Sequence, residues 1–427
     1  SLTADGDGLL DVYITCTLDQ PIEATLEAQG TSKSNSFIGP GLQVGLSHKN
    51  YLGGAERLSA NLKGSYEWQT NSAKGGRAQD INSYELGLDV NFDIPRLLAP
   101  KFVKRSSRYV NWTKFSLNAD LMNRPNYFKM VQFGGQMQWE WHHNRKSTHQ
   151  FTPFKLRYNK LISKTAAFDS AMESNPALAQ SFRNVFIPEI QYTYTYDNSF
   201  GPNNITWTST ISEAGSIFSG IWSICGAKGV KKLFGTPFSQ FVRAQTQVVW
   251  NRKVGSMNLV SRFLLGAAHA FGNSSEVPYS AQFYIGGANS VRAFPVRSIG
   301  PGRYCPTEIR PNGYYDQTGT FKFETNCELR FPILGYLKGA LFLDAGNVWL
   351  LKKDDYRPGG EITLKHFLND LALGTGVGVR FDMDMLVLRA DLGIGIHAPY
   401  DTGKSGYFNM PSFKDSLGFH LAIGYPF

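Results

Sequence analysis

Alternation of apolar and polar residues along long segments constrains the fold of this chain most strongly. In "LSANLKGSYEWQ", Leu58, Leu62 and Tyr66 fall on one face, while Lys63 and Glu67 fall on the other. The same period of two recurs in "YELGLDVNFDI", "PEIQYTYTY", "FKFETNCELRF", "LALGTGVGVRF" and "LVLRADLGIGI". This period is typical of β-strands whose two faces meet different surroundings.

The length and charge of these segments distinguish a membrane barrel from a soluble sandwich. Sandwich strands commonly have about five or six residues, whereas a tilted membrane strand needs roughly ten. The polar faces carry full charges, which a sandwich core rejects and a water-filled lumen accepts. We count about sixteen such segments between Pro40 and Phe427. The sequence therefore predicts an all-β fold, a transmembrane antiparallel β-barrel of about 16 strands.

Composition and motif spacing argue against several other classes. The net charge is +9, but the basic residues are scattered, so no nucleic-acid binding is expected. The four cysteines lack CxxC spacing and "DGDGLLD" lacks the later acidic ligands of a calcium loop, so we expect neither a metal nor a cofactor. His142 and His143 have no triad partners at a suggestive spacing and are interpreted as lumen or rim residues. A disulfide between Cys305 and Cys327 is a possibility in an oxidising compartment.

A buried ion pair is the main candidate for a functional site. Arg292 stands in the small and apolar stretch "GGANSVRAF", ahead of a long loop rich in glycine and proline. Glu328 and Asp344 fall on polar faces of later strands, so both carboxylates are expected to face the lumen. If the loop folds inward, Arg292 can form charge-assisted hydrogen bonds with them. The alternative is a surface arginine on a mobile loop.

The first and last strands form the second candidate site, a lateral seam. The first barrel strand is expected at about Gly41 to Lys49, and "LGFHLAIGYPF" is the last. Glycine and proline in the last strand weaken its pairing, and a weak seam can open sideways to expose an edge that templates an incoming strand. The hypothesis that this seam does so rests on these residues together with the family resemblance given below. The residues assigned to this seam are Leu42, Val44, Leu46, Phe419, Leu421, Ile423, Gly424, Tyr425 and Phe427.

Two connections do not fit a plain barrel, residues 166–184 and 219–237. Counting strands from the N-terminus places both on the periplasmic side, where turns are usually short. Either the count is wrong by one strand, or these segments are docking elements. Glycines at 374, 376 and 378 are expected to leave room for an inserted loop or to allow curvature.

"SVRAF" resembles the VRGF motif on the sixth extracellular loop of the BamA/TamA superfamily of outer-membrane assembly barrels. The resemblance extends through "IGPG", "NCELRF", "FLDAGNVW", "GTGVGVRFD" and "AIGYPF", and covers Gly39 to Phe427. It implies an inward-folded sixth loop whose motif is Val291, Arg292, Ala293 and Phe294, with Ala293 in place of the motif glycine. It also implies that Arg292 pairs with Glu328 and Asp344.

The resemblance further implies a domain order and a location. Residues 1–30 look like the C-terminal end of the last POTRA module, 31–38 a linker and 39–427 the barrel. The expected location is the bacterial outer membrane, with the N-terminus in the periplasm.

The implied function is assembly of client outer-membrane proteins through the seam, without catalysis. Within the superfamily the motifs are most similar to the TamL branch, the TamA-like barrels of Bacteroidota, for which a TamB-like periplasmic partner is implied. BamA is the close alternative, and a passive pore or secretion translocator is the competing class.

Overall fold

The computed structural model describes residues 2–4, 10–12, 20–32, 37–69, 82–99, 108–124, 128–174, 184–224, 229, 231–233, 236–305, 317–383 and 386–427. The possible calcium loop at Asp5 and Asp7 and two cysteines, Cys16 and Cys225, lie outside these ranges.

One antiparallel sheet of 16 strands, paired in chain order, dominates the structure. Its strands are β1 Ile22–Ser32, β2 Phe37–Lys49, β3 Arg57–Gln69, β4 Asn82–Ile94, β5 Trp112–Arg124, β6 Phe128–Asn144, β7 Ser147–Lys164, β8 Val185–Phe200, β9 Asn203–Ala214, β10 Phe241–Val254, β11 Met257–Ala270, β12 Phe321–Leu334, β13 Leu337–Trp349, β14 Ala372–Asp382, β15 Val387–His397 and β16 Leu417–Ile423. The predicted all-β fold with 16 strands is confirmed, although one of them, β1, lies before the range in which the sixteen were counted.

Small elements accompany the sheet. They are the helices α1 Ala166–Ser174 and α2 Ser216–Ile224, the 3₁₀ turns Tyr279–Ala281 and Lys414–Ser416, and the short strand pairs Leu2–Ala4 with Leu10–Val12 and Lys232–Leu233 with Thr236–Pro237. In the described ranges, no helix has both the length and the apolar character to cross a membrane.

The two faces of the strands separate as the alternation predicts. Outward-facing side chains such as Leu62, Leu86 and Leu341 are exposed apolar groups, as expected of a surface that meets lipid. Inward-facing Glu324 and Glu328 on β12 are fully buried. The outer surface is therefore apolar, while the interior holds the charges.

The sheet begins earlier than the sequence indicated. β1 pairs with β2 along its whole length, from Ile22 opposite His48 to Ser32 opposite Ile38. Residues assigned to the end of a POTRA module and to the linker thus contribute the first strand of the sheet. The segment Gly41 to Lys49 lies in the second strand. "IEATLEAQGTS" alternates as a strand does, with Ile22, Ala24 and Leu26 on one face, but only its backbone pairing with β2 assigns it to the barrel sheet.

This extra strand resolves the position of the two long insertions. Counted from β1, residues 165–184 and 215–240 lie at the same end of the sheet as the loop 271–320. Two-residue connections such as 201–202 and 255–256 lie at the opposite end. The strand count from the sequence was therefore wrong by one, and both insertions belong to the long-loop end.

Candidate functional site: the arginine loop inside the barrel

The loop 271–320 joins β11 to β12, and its described part, residues 271–305 and 317–320, packs inside the barrel. Val291 and Phe294 of its motif are buried, and they join one apolar cluster with Ile187 of β8, Val348 of β13 and Ala372 of β14. These strands lie on different parts of the sheet, so the loop crosses the lumen. The inward-folded loop is confirmed.

A tight turn presents the motif arginine. Gly286 and Gly287 have φ of 96° and 89°, a left-handed conformation that favours glycine. The N–H of Gly287 donates to the carbonyl of Phe294 at 2.8 Å, which closes the turn around the motif. A Cβ at Gly286 would lie 2.1 Å from the carbonyl oxygen of Pro295, so only glycine fits there.

Arg292 is completely buried and meets both predicted carboxylates. Its Nε donates to Asp344 Oδ2 at 2.8 Å and its Nη2 to Asp344 Oδ1 at 2.9 Å, a bidentate pair. Its Nη1 donates to Glu328. Its guanidinium also lies 3.5 Å from the centre of the Phe342 ring. The sequence-predicted triplet is therefore brought together as expected.

Three further charged residues extend this network along β14 and β15. Arg380 and Arg389 lie directly opposite each other in the ladder, an arrangement of like charges that alone would be destabilising. Asp391 compensates, because its Oδ1 accepts from Arg380 at 2.5 Å and its Oδ2 from Arg389 at 3.0 Å. Arg380 also donates to Glu328 Oε2 at 3.1 Å, which joins the two groups.

Charge balance keeps the buried arginine protonated. Burial alone lowers the pKa of Arg292, yet the hydrogen bonds and charge of Asp344, followed by those of Glu328, outweigh it and raise that pKa above its ordinary value. Removing the cation would take the bidentate partner from the buried Asp344 carboxylate, which is costly. The network therefore acts as a structural brace.

A second ion pair fixes the base of the motif and has no counterpart among the predicted residues. Arg262 of β11 pairs with Glu324 of β12, and its Nη2 donates to the carbonyl of Asn289 at 2.9 Å. Ser290 Oγ donates to the same Glu324 at 2.9 Å. Glu324 lies on the lumen face of β12, and only the folded loop shows that it accepts a hydrogen bond from Ser290.

Glycines on the last three strands form the wall against which the loop lies. A Cβ at Gly374 would come within 2.5 Å of the Ala293 side chain. One at Gly393 would lie 2.6 Å from the Arg292 carbonyl oxygen, and one at Gly418 would lie 2.7 Å from it. The expectation of room for the loop thus holds for Gly374. Gly376 instead faces the Phe342 ring and Gly378 faces Asp391 and Arg380.

The end of the chain differs from the predicted outward alternation. β16 ends at Ile423, and Gly424 has φ of 84°, which turns the chain inward. Tyr425 OH then donates to Asp382 Oδ2 at 2.6 Å, and the guanidinium of Arg262 lies 4.9 Å from the centre of the Phe427 ring. Tyr425 and Phe427 are therefore interior residues and do not line the outer face of a seam.

The remaining seam residues divide between an edge and an inner strand. Phe419, Leu421 and Ile423 lie exposed on β16, at one end of the strand order. Leu42, Val44 and Leu46 are exposed on β2. This strand is not at the other edge of the sheet, because β1 occupies that edge. The first-strand side of the seam was thus placed one strand too far along, because residues 1–30 were assigned to a POTRA module and the pairing of β1 with β2 leaves no local signal.

Cys305 and Cys327, for which the sequence left a disulfide possible, are both free cysteines in the structure. His142 and His143 lie at the end of β6, beside a two-residue turn. No group of three or more His, Cys, Asp or Glu that could hold a metal ion occurs within the part of the chain that the structure describes.

A 16-stranded barrel whose own loop fills its lumen defines a class of plugged membrane barrels. The model of the Omp85 superfamily domain matches residues 50–427, and the chain belongs to this superfamily. This agrees with the superfamily predicted from the loop motif, and members of the Omp85 superfamily are barrels of the bacterial outer membrane.

Individual relatives agree with this assignment. The chain is 34% identical over 90 residues to the outer membrane protein assembly factor BamA of Neisseria meningitidis, a match covering 20% of this chain and 11% of that protein. BamA of Haemophilus ducreyi lacking POTRA domains 1–3 superposes with a TM-score of 0.57 and 14% identity, over 94% of this chain and 70% of that structure. CdiB of Escherichia coli gives a TM-score of 0.51 and 13% identity, over 99% of this chain and 66% of that structure. At these identities the structures establish the fold alone.

Proposed function

We propose that this protein is a TamA-like, and more narrowly a TamL-like, outer-membrane assembly factor that helps to insert client β-barrel or surface proteins through a lateral seam between β1 and β16. The observation that carries this proposal is the strand order, which ends in these two strands. Among the described residues, no ladder joins them. Unpaired backbone groups are costly in a bilayer, so such edges readily accept another strand.

The two edges are unequal, which favours opening. β1 has 11 residues, whereas β16 has seven. The positive φ of Gly424 ends β16, and Pro426 beyond it has no N–H to donate. A short last strand can form few hydrogen bonds across the seam, so separating it from β1 requires little energy.

The plugging loop supports the short last strand from inside. His420 of β16 donates from Nε2 to the carbonyl of Arg292 at 2.9 Å. Gly418 lies against the same carbonyl, with no space for a side chain. We infer that the loop holds β16 in position from inside the barrel. The edge of β16 that does not pair with β15 remains available to a client strand.

The proposal includes an orientation and partners. Short turns of outer-membrane barrels face the periplasm, so we place the two-residue connections and the N-terminus there and the long loops outside the cell. The residues before β1 would be the end of a POTRA module, to which a TamB-like periplasmic protein is the expected partner. The clients are other outer-membrane proteins, and the lipid bilayer surrounds the barrel.

Two alternatives share this fold. A BamA role would use the same seam with different periplasmic partners. A passive pore or secretion translocator would need an open lumen, and the buried loop network weighs against it.

A disulfide lock across the seam tests the proposal. With the four native cysteines replaced, Leu421→Cys on β16 is combined in turn with Ile22→Cys, Ala24→Cys, Leu26→Cys or Ala28→Cys. These four positions pair with residues that include the outward-facing Leu42, Val44 and Leu46, so they share the outer face with Leu421. Oxidation should stop growth and deplete outer-membrane proteins in cells that depend on this barrel, and reductant should restore both.

The matched control cross-links β15 to β16, two paired strands that remain together when the seam between β1 and β16 opens. Ala390 lies directly opposite Leu421 in the β15–β16 ladder, so the Ala390→Cys and Leu421→Cys pair should cross-link without loss of function. Full function with a confirmed cross-link between β1 and β16 would exclude lateral opening and favour the pore.

A further inference from the structure

The helix α2 is an apolar element that the barrel leaves uncovered. Its sequence, SIFSGIWSI, has no charged residue, and none of its residues is buried. Ile217, Ile221 and Ile224 are 54%, 50% and 87% exposed. Their spacing of four and three residues places them in one stripe along the helix.

The opposite side of α2 is fixed to its own loop. The Nζ of Lys231 donates to the carbonyl of Ser219 and to Ser223 Oγ, both at 3.0 Å. The Phe218 ring lies 6.4 Å from the ring of Phe238, which is buried at the barrel rim. With about 100° of rotation per residue, the two serines lie on the side opposite the isoleucine stripe, so these contacts direct the stripe outward.

The other helix at this end of the barrel shows how an ordinary helix is covered. In α1, Phe168 is 3% exposed and packs against Phe128 and Met130. Asp169 of the same helix pairs with Lys164. α1 thus buries its apolar residue and presents charge to solvent, whereas α2 presents isoleucine.

The isoleucine stripe of α2 adjoins the outer surface of the barrel. β9 ends at Ala214, two residues before the helix begins. On the outer face of β9, Trp207 and Ile211 are exposed in the part of the strand that meets lipid. Glu213 follows on the same face, and its Oε1 accepts the N–H of Ser216 at 2.9 Å. The isoleucine stripe therefore starts where the lipid-facing surface of the barrel ends.

We propose that α2 is an interfacial anchor, which lies in the plane of the bilayer at the long-loop end with Ile217, Ile221 and Ile224 among the lipid acyl chains. An apolar helix stripe next to a membrane surface gains the burial that it lacks in water. The occupant of the stripe is lipid, continuous with the lipid around β9. This inference requires only that the barrel spans a membrane, and it is independent of the seam.

Lipid contact can be measured directly with a fluorophore on α2. In the full chain with native cysteines replaced by serine, Ile221→Cys is labelled with an environment-sensitive probe and reconstituted in phosphatidylcholine vesicles. Ser223→Cys, which is also exposed but lies on the opposite face, is the matched control. We expect a blue shift and strong quenching by lipids carrying a shallow nitroxide for Ile221→Cys, and stronger quenching by aqueous iodide for Ser223→Cys.

Equal quenching at both positions by either quencher would overturn the proposal. So would an Ile221→Cys probe that is exposed to iodide in lipid vesicles but protected in isolated outer membranes, since a protein would then cover the stripe. Heat-modifiability of each labelled variant shows that the barrel is folded, and Ile217→Cys provides a second site on the stripe if the first variant does not fold.

Discussion

His420 Nε2 lies 2.9 Å from the carbonyl oxygen of Arg292, so the last strand of the barrel contacts the loop motif directly. The side chain of the same arginine binds Glu328 on β12 and Asp344 on β13. One buried residue therefore connects the loop, two strands of the barrel wall and the strand at the edge of the sheet. A substitution in any of these elements is therefore expected to alter the stability of the edge strand β16.

Replacing the loop arginine should destabilise the barrel. Arg292→Ala leaves Asp344 buried without its bidentate partner and removes one of three arginines that contact Glu328. Breaking a buried pair of this kind typically costs about 3–5 kcal/mol. We expect a lower urea midpoint and loss of heat-modifiability at a lower temperature. Lys353→Ala is the control, because its pair with Asp355 is exposed, at 77% and 88%, and should contribute less than ~1 kcal/mol. Equal midpoints for wild type and Arg292→Ala would contradict a bracing role.

Filling the glycine wall should displace the loop without altering any charge. A Cβ at Gly393 would lie 2.6 Å from the Arg292 carbonyl oxygen, and this backbone atom cannot move away easily. Overpacking of this kind costs about 1–3 kcal/mol, so Gly393→Ala should unfold at lower urea. Gly64→Ala has nothing within 4 Å of the added carbon and should be neutral or slightly stabilising. An unchanged midpoint for Gly393→Ala would mean that the loop does not rest on β15.

Removing the hydrogen bond between the loop and β16 should loosen the edge strand. His420→Leu deletes a donor worth about 1 kcal/mol, whereas His420→Gln retains one. Amide hydrogen exchange of residues 417–423 should accelerate in His420→Leu and return toward the wild-type rate in His420→Gln. Identical exchange in the two variants would show that this bond does not hold β16.

The plugged lumen should conduct ions poorly. In planar bilayers, we expect wild-type protein to give small and irregular currents, because the loop and its ion pairs fill the interior. Arg292→Ala should increase the open fraction by releasing the loop. Leu62→Ala, a change on the exposed outer face, should leave the currents unchanged. A large and steady wild-type current would favour the passive pore.

Local periodicity was sufficient to predict much of the site. The period of two in a strand fixes which face each side chain joins, so Glu328 and Asp344 could be assigned to the lumen before their surroundings were known. Both are buried, as expected, and both meet Arg292. The choice of Arg292 as their partner rested on the motif resemblance, since a loop residue carries no periodic signal.

Contacts between distant segments decided the rest. Asp391 pairs with both Arg380 and Arg389, which lie opposite each other. This arrangement exists only because β14 and β15 pair in this particular register. In the same way, pairing with β2 places β1 in the sheet. The positive φ of Gly424 sends Tyr425 and Phe427 inward, against their alternation.

The sequence by itself determined the strands, their two faces and the lumen carboxylates, because these follow from side-chain spacing along one segment. Only the tertiary structure decided where the sheet begins and ends, which charges share the buried network and how the loop meets the last strand. These features depend on backbone pairing and on close approach between segments that lie far apart in the chain, and neither leaves a local pattern.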